Sequence, residues 1–142
     1  MYVLDSKGQE PFNFEFDGET YSIPSRQGLP MPVFRSIQKA IDEGLPMIWT
    51  MWSSNVYGER ANQNTHARQT MTTEQWLKTL KKQKKIKDVH EGPHICLVIG
   101  YNATTNEIAV SNSWGNGPAA LWWVRMDDAE VVARGKLVYL RP

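Results

Sequence analysis

The sequence predicts an α+β domain whose strands are mostly antiparallel, and three observations carry that prediction. Val33, Phe34, Ile37, Ala40 and Ile41 form a stripe with the 3.6-residue period of a helix. Pro46 to Trp52 is a nearly uninterrupted apolar run of strand length. Two further strand-like runs, 94–101 and 107–112, follow each other across a short polar link, the arrangement of an antiparallel pair. Helices interleaved with hairpin-connected strands give α+β rather than a parallel α/β sheet.

Taken in order, Phe12, Phe14 and Phe16 alternate with polar residues, Asp17-Gly18 supplies a turn, and Tyr21 and Ile23 alternate again. That is a hairpin signature. Residues 25–32 are a Gly/Pro-rich connector, with Pro32 placed in the first turn of the helix that follows and Gly44 placed to end it. After the central strand, residues 53–70 are polar and read as a long irregular loop. Thr72 with Gln75 makes a capping-box pattern for a helix reaching about Lys87, with Trp76, Leu77 and Leu80 inside. Gly92-Pro93 stops it. A loop at 113–120 leads to a strand over 121–126. Asp127 with Glu130 caps a short helix ended by Gly135, and 136–140 is a last strand.

The chain has 142 residues, enough for a single domain with a core of its own. Sixteen Lys and Arg against fifteen Asp and Glu leave a net charge of +1, so no global field recruits nucleic acid or an anionic membrane. One cysteine, Cys96, excludes an internal disulfide framework and a multi-cysteine zinc site. The first twenty residues hold no signal-peptide core, and no stretch approaches the roughly 18 apolar residues of a membrane span. The reading is a soluble chain.

The candidate chemistry lies in the pair of runs around Thr104. With the turn centred there, Tyr101 faces Glu107, and His94 falls within about two residues of Asn112 on the neighbouring strand. A carboxamide oxygen accepting from one ring N–H fixes an imidazole's tautomer and leaves its other nitrogen free for proton transfer. Aromatic cover from Trp114 keeps water from that bond. The plain alternative is a strand-end histidine bonded to backbone.

These residues resemble a known family. His94-Ile-Cys-Leu-Val-Ile-Gly100-Tyr101-Asn102, followed by Asn112-Ser-Trp114-Gly115, is similar to the second half of papain-like cysteine peptidases, where a histidine opens a strand ending in Gly-Tyr and an asparagine begins an Asn-Ser-Trp-Gly motif. The segment Ile37 to Pro46 with its apolar strand, the run Trp122 to Met126, and the acidic helix start at Asp127 to Glu130 resemble the bacterial branch related to bacteriocin-processing peptidases. The likeness spans about Val33 to Pro142. It implies the β-rich lobe of that fold with flanking helices, with His94 as general base, Asn112 orienting it and Trp114 shielding the pair. It implies a peptide or protein as substrate or ligand, and no cofactor.

The chain departs from the family in one respect. Nothing before Val33 resembles the helix that carries the nucleophilic cysteine, and no cysteine occurs there. Cys96 is two residues from His94 on one strand, about 6.5–7 Å away, beyond the 2.6–3.2 Å of a thiolate–imidazolium pair. It reads as a small buried hydrophobe. The missing half then belongs to an upstream segment of a longer protein, has been lost in an inactive relative, or comes from a partner chain. In the first two cases the polypeptide alone does not hydrolyse peptides. The alternative function is a non-catalytic peptide- or protein-binding module on the same scaffold.

Three other features of the sequence compete with this reading. His90 and His94, with His66, suggest a metal site, but Gly92-Pro93 breaks the helix that would align the first two, and no metal is expected. Lys78, Lys81, Lys82, Lys84, Lys85 and Lys87 read as a solvated helix face rather than a nucleic-acid surface. Trp122 and Trp123 point to opposite sides of a strand. With Asn55, Tyr57 and Arg60 from the polar segment they form a possible cleft lining.

Overall fold

A computed structural model describes the backbone of residues 2–3, 11–16, 19–24, 32–87, 92–112, 120–134 and 138–139, and the side-chain surroundings of 34–87, 92–112 and 120–134. The chain is α+β: four helices and an antiparallel open sheet whose four principal strands run β4 (Met47–Ser53), β5 (Gly92–Asn102), β6 (Glu107–Ser111) and β7 (Leu121–Arg125). Two short pieces, β8 (Val138–Tyr139) and β1 (Tyr2–Val3), extend the sheet beyond β4. β2 (Pro11–Phe16) and β3 (Glu19–Pro24) form a separate two-stranded ribbon.

α1 (Pro32–Asp42) begins at its proline and ends as its sequence requires. Gly44 adopts φ +77°, its N–H donates to Ile41 O (2.9 Å), and Leu45 N–H donates to Ala40 O (2.9 Å). This is the left-handed terminus that glycine accommodates without strain. Phe34, Ile37 and Ala40 face the core.

Residues 55–70 are helical, which corrects the loop expected over 53–70. α2 (Asn55–Ala67) starts at Ser54, whose side chain accepts from Tyr57 N–H at 3.1 Å, and a 3-10 turn (Arg68–Thr70) follows. Its buried stripe is only Tyr57, Ala61 and Asn64, so a single large apolar residue marks it in the sequence. Asn64 is held by reciprocal bonds with Gln83 (3.1 and 2.9 Å). α3 (Thr73–Lys82) has the expected capping box between Thr72 and Gln75 but ends five residues early. Beyond it the chain is anchored by Ile86 N–H donating to Asp128 Oδ1 (3.0 Å). α4 (Met126–Val132) has Arg125 at its N-cap with no side-chain cap, so Asp127 does not cap it but lies in its first turn.

Strand alternation gives the sheet two distinct faces. On the inner face, Met47, Trp49 and Met51 of β4 meet Val98 of β5, Ile108 and Val110 of β6, and Trp122 and Val124 of β7, all buried. α1, α4 and the first half of α2 complete this core. α2 also protects the edge of β7, where Trp123 N–H donates to Thr65 Oγ1 (2.8 Å). On the outer face, Arg68 stacks on the Trp123 ring (4.1 Å) and, with Trp76, reaches the buried carboxylate of Glu107. No helix among the described residues is long and apolar enough to cross a membrane.

Candidate functional site

β4 and β5 pair in continuous register from Met47↔Val98 to Ser53↔Gly92, which sets His94 opposite Met51 and Cys96 opposite Trp49. Residues 94, 96 and 98 therefore share the inner face, while Ile95, Leu97 and Ile99 lie on the outer one. His94 is half-buried at the rim of the core. Burial lowers its pKa from the ordinary 6.5, so the neutral imidazole is favoured near neutral pH.

The β5–β6 register differs from the one expected only at the turn end. Asn102, not Tyr101, faces Glu107 and Tyr101 faces Ile108, and a bulge between Val98 and Gly100 brings the pairing back to the expected register at Val98↔Val110. The turn causes the first difference. Asn102 Oδ1 accepts from Thr104 N–H (3.0 Å) and Thr105 N–H (3.2 Å), and Asn106 takes φ 54°, closing a four-residue turn inside the expected five.

The last β5–β6 pair is Leu97↔Ser111. Asn112 follows directly after β6; a ladder continued by one residue would set it across from Cys96 and diagonal to His94. Diagonal neighbours on adjacent strands lie about 7–8 Å apart, within reach of two side chains of this length. Asn112 is buried, and its N–H donates to Ala120 O (2.9 Å). Trp114 lies outside the described residues, as does His90.

Cys96 is buried, its Sγ–H directed at Trp49 O (3.8 Å), and burial pushes the thiol up to about 12. At neutral pH the thiolate is about a thousandfold scarcer than for an ordinary thiol. A thiol-directed electrophile at pH 8 is expected to label the folded chain only at the rate of unfolding, and His94→Ala should leave that rate unchanged. Rapid labelling that depends on His94 would make Cys96 a nucleophile after all.

The five residues expected to line a cleft do not converge. Tyr57 and Trp122 are core residues in edge contact (5.8 Å between ring centres), and Tyr57 also packs on Trp49 (6.5 Å). Arg60 serves the scaffold, donating to Lys84 O (3.0 Å) and pairing with Asp128 (3.4 Å). Trp123 lies on the opposite face under Arg68, and Asn55 is exposed in the first turn of α2. Parity separates Trp122 from Trp123 but does not tell which face a helix will cover.

Among the described residues no three His, Cys, Asp or Glu side chains are grouped to hold a metal ion, and His66 is exposed on α2. The lysines of α3 lie on its solvent side, opposite Trp76 and Leu80, and Lys78 pairs with Glu74 (3.4 Å) between two exposed side chains. A polar cleft of about 260 Å³ opens at the far end of β5 from His94, beside Thr105, Lys81 and Arg125. Sequence reasoning did not single out Trp49 and Met51, which form the floor beside Cys96 and His94; their place in an apolar run announces burial but not proximity to an imidazole.

Fold and site together define an α+β domain with a half-buried histidine on β5 and a buried asparagine just past the end of the neighbouring antiparallel strand β6. Comparison with protein families, with curated proteins and with solved structures yields no match.

Proposed function

We propose that the chain is a papain-like cysteine peptidase-related domain, of the kind similar to bacteriocin-processing peptidases, that is partial or catalytically inactive as it stands. The observation that supports this reading best is the pairing of β5, which carries His94, with β6, which ends one residue before the buried Asn112. In this reading the imidazole, kept neutral by burial, is the base that accepts a thiol proton. The Asn112 carboxamide accepts from the other ring nitrogen and holds the tautomer. The motif Asn112-Ser-Trp114-Gly115 and the strand ending Gly100-Tyr101 support the same assignment.

Cys96 does not supply the nucleophile, being buried and protonated. Without a nucleophilic thiol at the site the base has no proton to take, and the polypeptide alone binds a peptide rather than cleaving it. A segment preceding this one in a longer protein, or a partner chain, is the source of the nucleophile if the assembled protein is active. A binding module on the same scaffold is the second reading, and it rests on the same two residues.

The test is to titrate unstructured peptides into the chain while monitoring both hydrolysis and the side-chain resonances of His94 and Asn112. No turnover is expected, with any binding perturbing those two residues. Hydrolysis that persists in Cys96→Ala, or binding that leaves both resonances unmoved, defeats the proposal.

A further inference from the structure

The end of α3, the turn between β5 and β6 and the junction of β7 with α4 meet around the cleft of about 260 Å³. α3 contributes Leu77, Leu80 and Lys81, the turn contributes residues 104–106, and the junction contributes Arg125, Met126 and Asp127. Two bonds tie these walls together. Met126 N–H donates to Asn106 O (2.9 Å), and Arg125 Nη1 donates to Lys84 O (3.4 Å) just past α3.

The charges that line the cleft do not balance. Arg125 is only 7% exposed, an uncommon position for a guanidinium. Its carboxylate partner among the described residues is Asp127 at 3.0 Å, whose side chain is 56% exposed. Lys81 is exposed and makes no ion pair with any described residue. Two cations against one carboxylate leave an excess of one positive charge. The run 78–87, which carries Lys81, holds six lysines and no acidic residue, so the potential around the opening is positive as well.

Size and lining narrow the ligand. The volume lies below the roughly 300–1,000 Å³ of pockets for drug-sized molecules, so a nucleotide or a peptide segment is too large to enter whole. A small oxyanion with a short side group fits. Leu77, Leu80 and Met126 favour an aliphatic group beside the charge, and the fork of a guanidinium matches a carboxylate. A single unbalanced positive charge suits a monoanion better than a phosphate dianion, which Asp127 repels more strongly.

We propose that this cleft binds a monocarboxylate carried on a short aliphatic group, with its oxygens between Lys81 and Arg125 and its aliphatic part against Leu77 and Leu80. Such a group is either a free branched-chain acid or the last residue of a peptide with its carboxylate free. The cleft lies at the opposite end of β5 from His94, and the inference does not depend on any role for that residue.

Amide NMR titration of the full chain tests it, following residues 104–106 and 125–127. N-acetyl-leucine is expected to shift these resonances saturably, and N-acetyl-leucinamide, which lacks the charge, should not. Lys81→Gln should weaken binding about threefold, the scale of an exposed ion pair. Lys82→Gln makes the same change in net charge outside the cleft and should leave the affinity unaltered. Asp127→Asn removes the competing carboxylate and should tighten binding by a similar factor. Arg125→Gln should abolish saturable binding; because Arg125 also ties the walls together, the two lysine variants decide the question if that protein unfolds. Isovalerate and a tripeptide ending in leucine separate the two sources: tighter binding of the first assigns the site to a free acid, and of the second to a peptide terminus. The absence of saturable shifts, equal binding of acid and amide, or equal weakening by Lys81→Gln and Lys82→Gln overturns the proposal. Inorganic phosphate binding more tightly than N-acetyl-leucine overturns the carboxylate assignment.

Discussion

Glu107→Ala is expected to lower the unfolding free energy by roughly 3–5 kcal/mol, as breaking a buried charged pair does. Glu107 is fully buried, and its Oε1 accepts from Trp76 Nε1 (2.9 Å), Arg68 Nε (3.2 Å) and Arg68 Nη2 (3.0 Å). Those bonds join β6, α3 and the 3-10 turn across 31 to 39 residues of chain. Removing the carboxylate strands the guanidinium of Arg68, most of which is shielded from solvent, and leaves an indole N–H unsatisfied in the interior. The double change Glu107→Leu with Arg68→Met should recover much of the loss, because it removes both partners rather than one. Denaturant titration of the two proteins decides this. A loss below about 1 kcal/mol for Glu107→Ala would mean that the network contributes no more than a surface pair.

Trp49→Ala is expected to cost about 3–5 kcal/mol, the range for deleting a large buried aromatic. Trp49 is fully buried at the centre of β4, packs on Tyr57, and lies opposite Cys96. The change also reaches the candidate site. With the floor beneath Cys96 and His94 opened to water, the desolvation that lowers the His94 pKa weakens, and the imidazole should titrate closer to 6.5. A variant that loses stability without moving the histidine would show that the core and the site are not coupled through β4 and β5.

The same histidine makes stability depend on pH. Its folded pKa lies below the ordinary value, so between the two the unfolded chain binds more protons than the folded one. The contribution of His94 is therefore fully present above pH 6.5 and is lost as pH falls from there toward its folded pKa. His94→Gln should flatten that part of the profile in equilibrium unfolding measured across pH 5–8.

Elements with strong local signals were legible in the sequence. Pro32, the apolar stripe and Gly44 define α1 at both ends, and Thr72 with Gln75 locates the start of α3. α2 was not legible, because the face it buries is built from Tyr57, a small Ala61 and a hydrogen-bonded Asn64, which carry no apolar period. Parity alone placed His94 with Cys96 on one side of β5. The β5–β6 pairing beside the turn was hidden because it depends on an Asx turn at Asn102 and a bulge beside Gly100, neither of which hydrophobic alternation encodes, whereas Val98 and Leu97 pair in the expected register. Tyr57 and Trp122 enter the core, and Arg60 bonds to Lys84 and Asp128, for a related reason: their segment folds as α2 against β7, and only tertiary packing sets that.

The claim on which the functional reading rests is that the side chain of Asn112 orients a neutral His94. Nitrogen-detected NMR of the His94 imidazole across pH 4–9, in the wild type and in Asn112→Ala, measures it directly. The expected result is a pKa below 6.5 with one dominant tautomer, replaced in Asn112→Ala by a mixture of tautomers. An imidazole that titrates at or above 6.5, with tautomer populations indifferent to Asn112, would contradict the account.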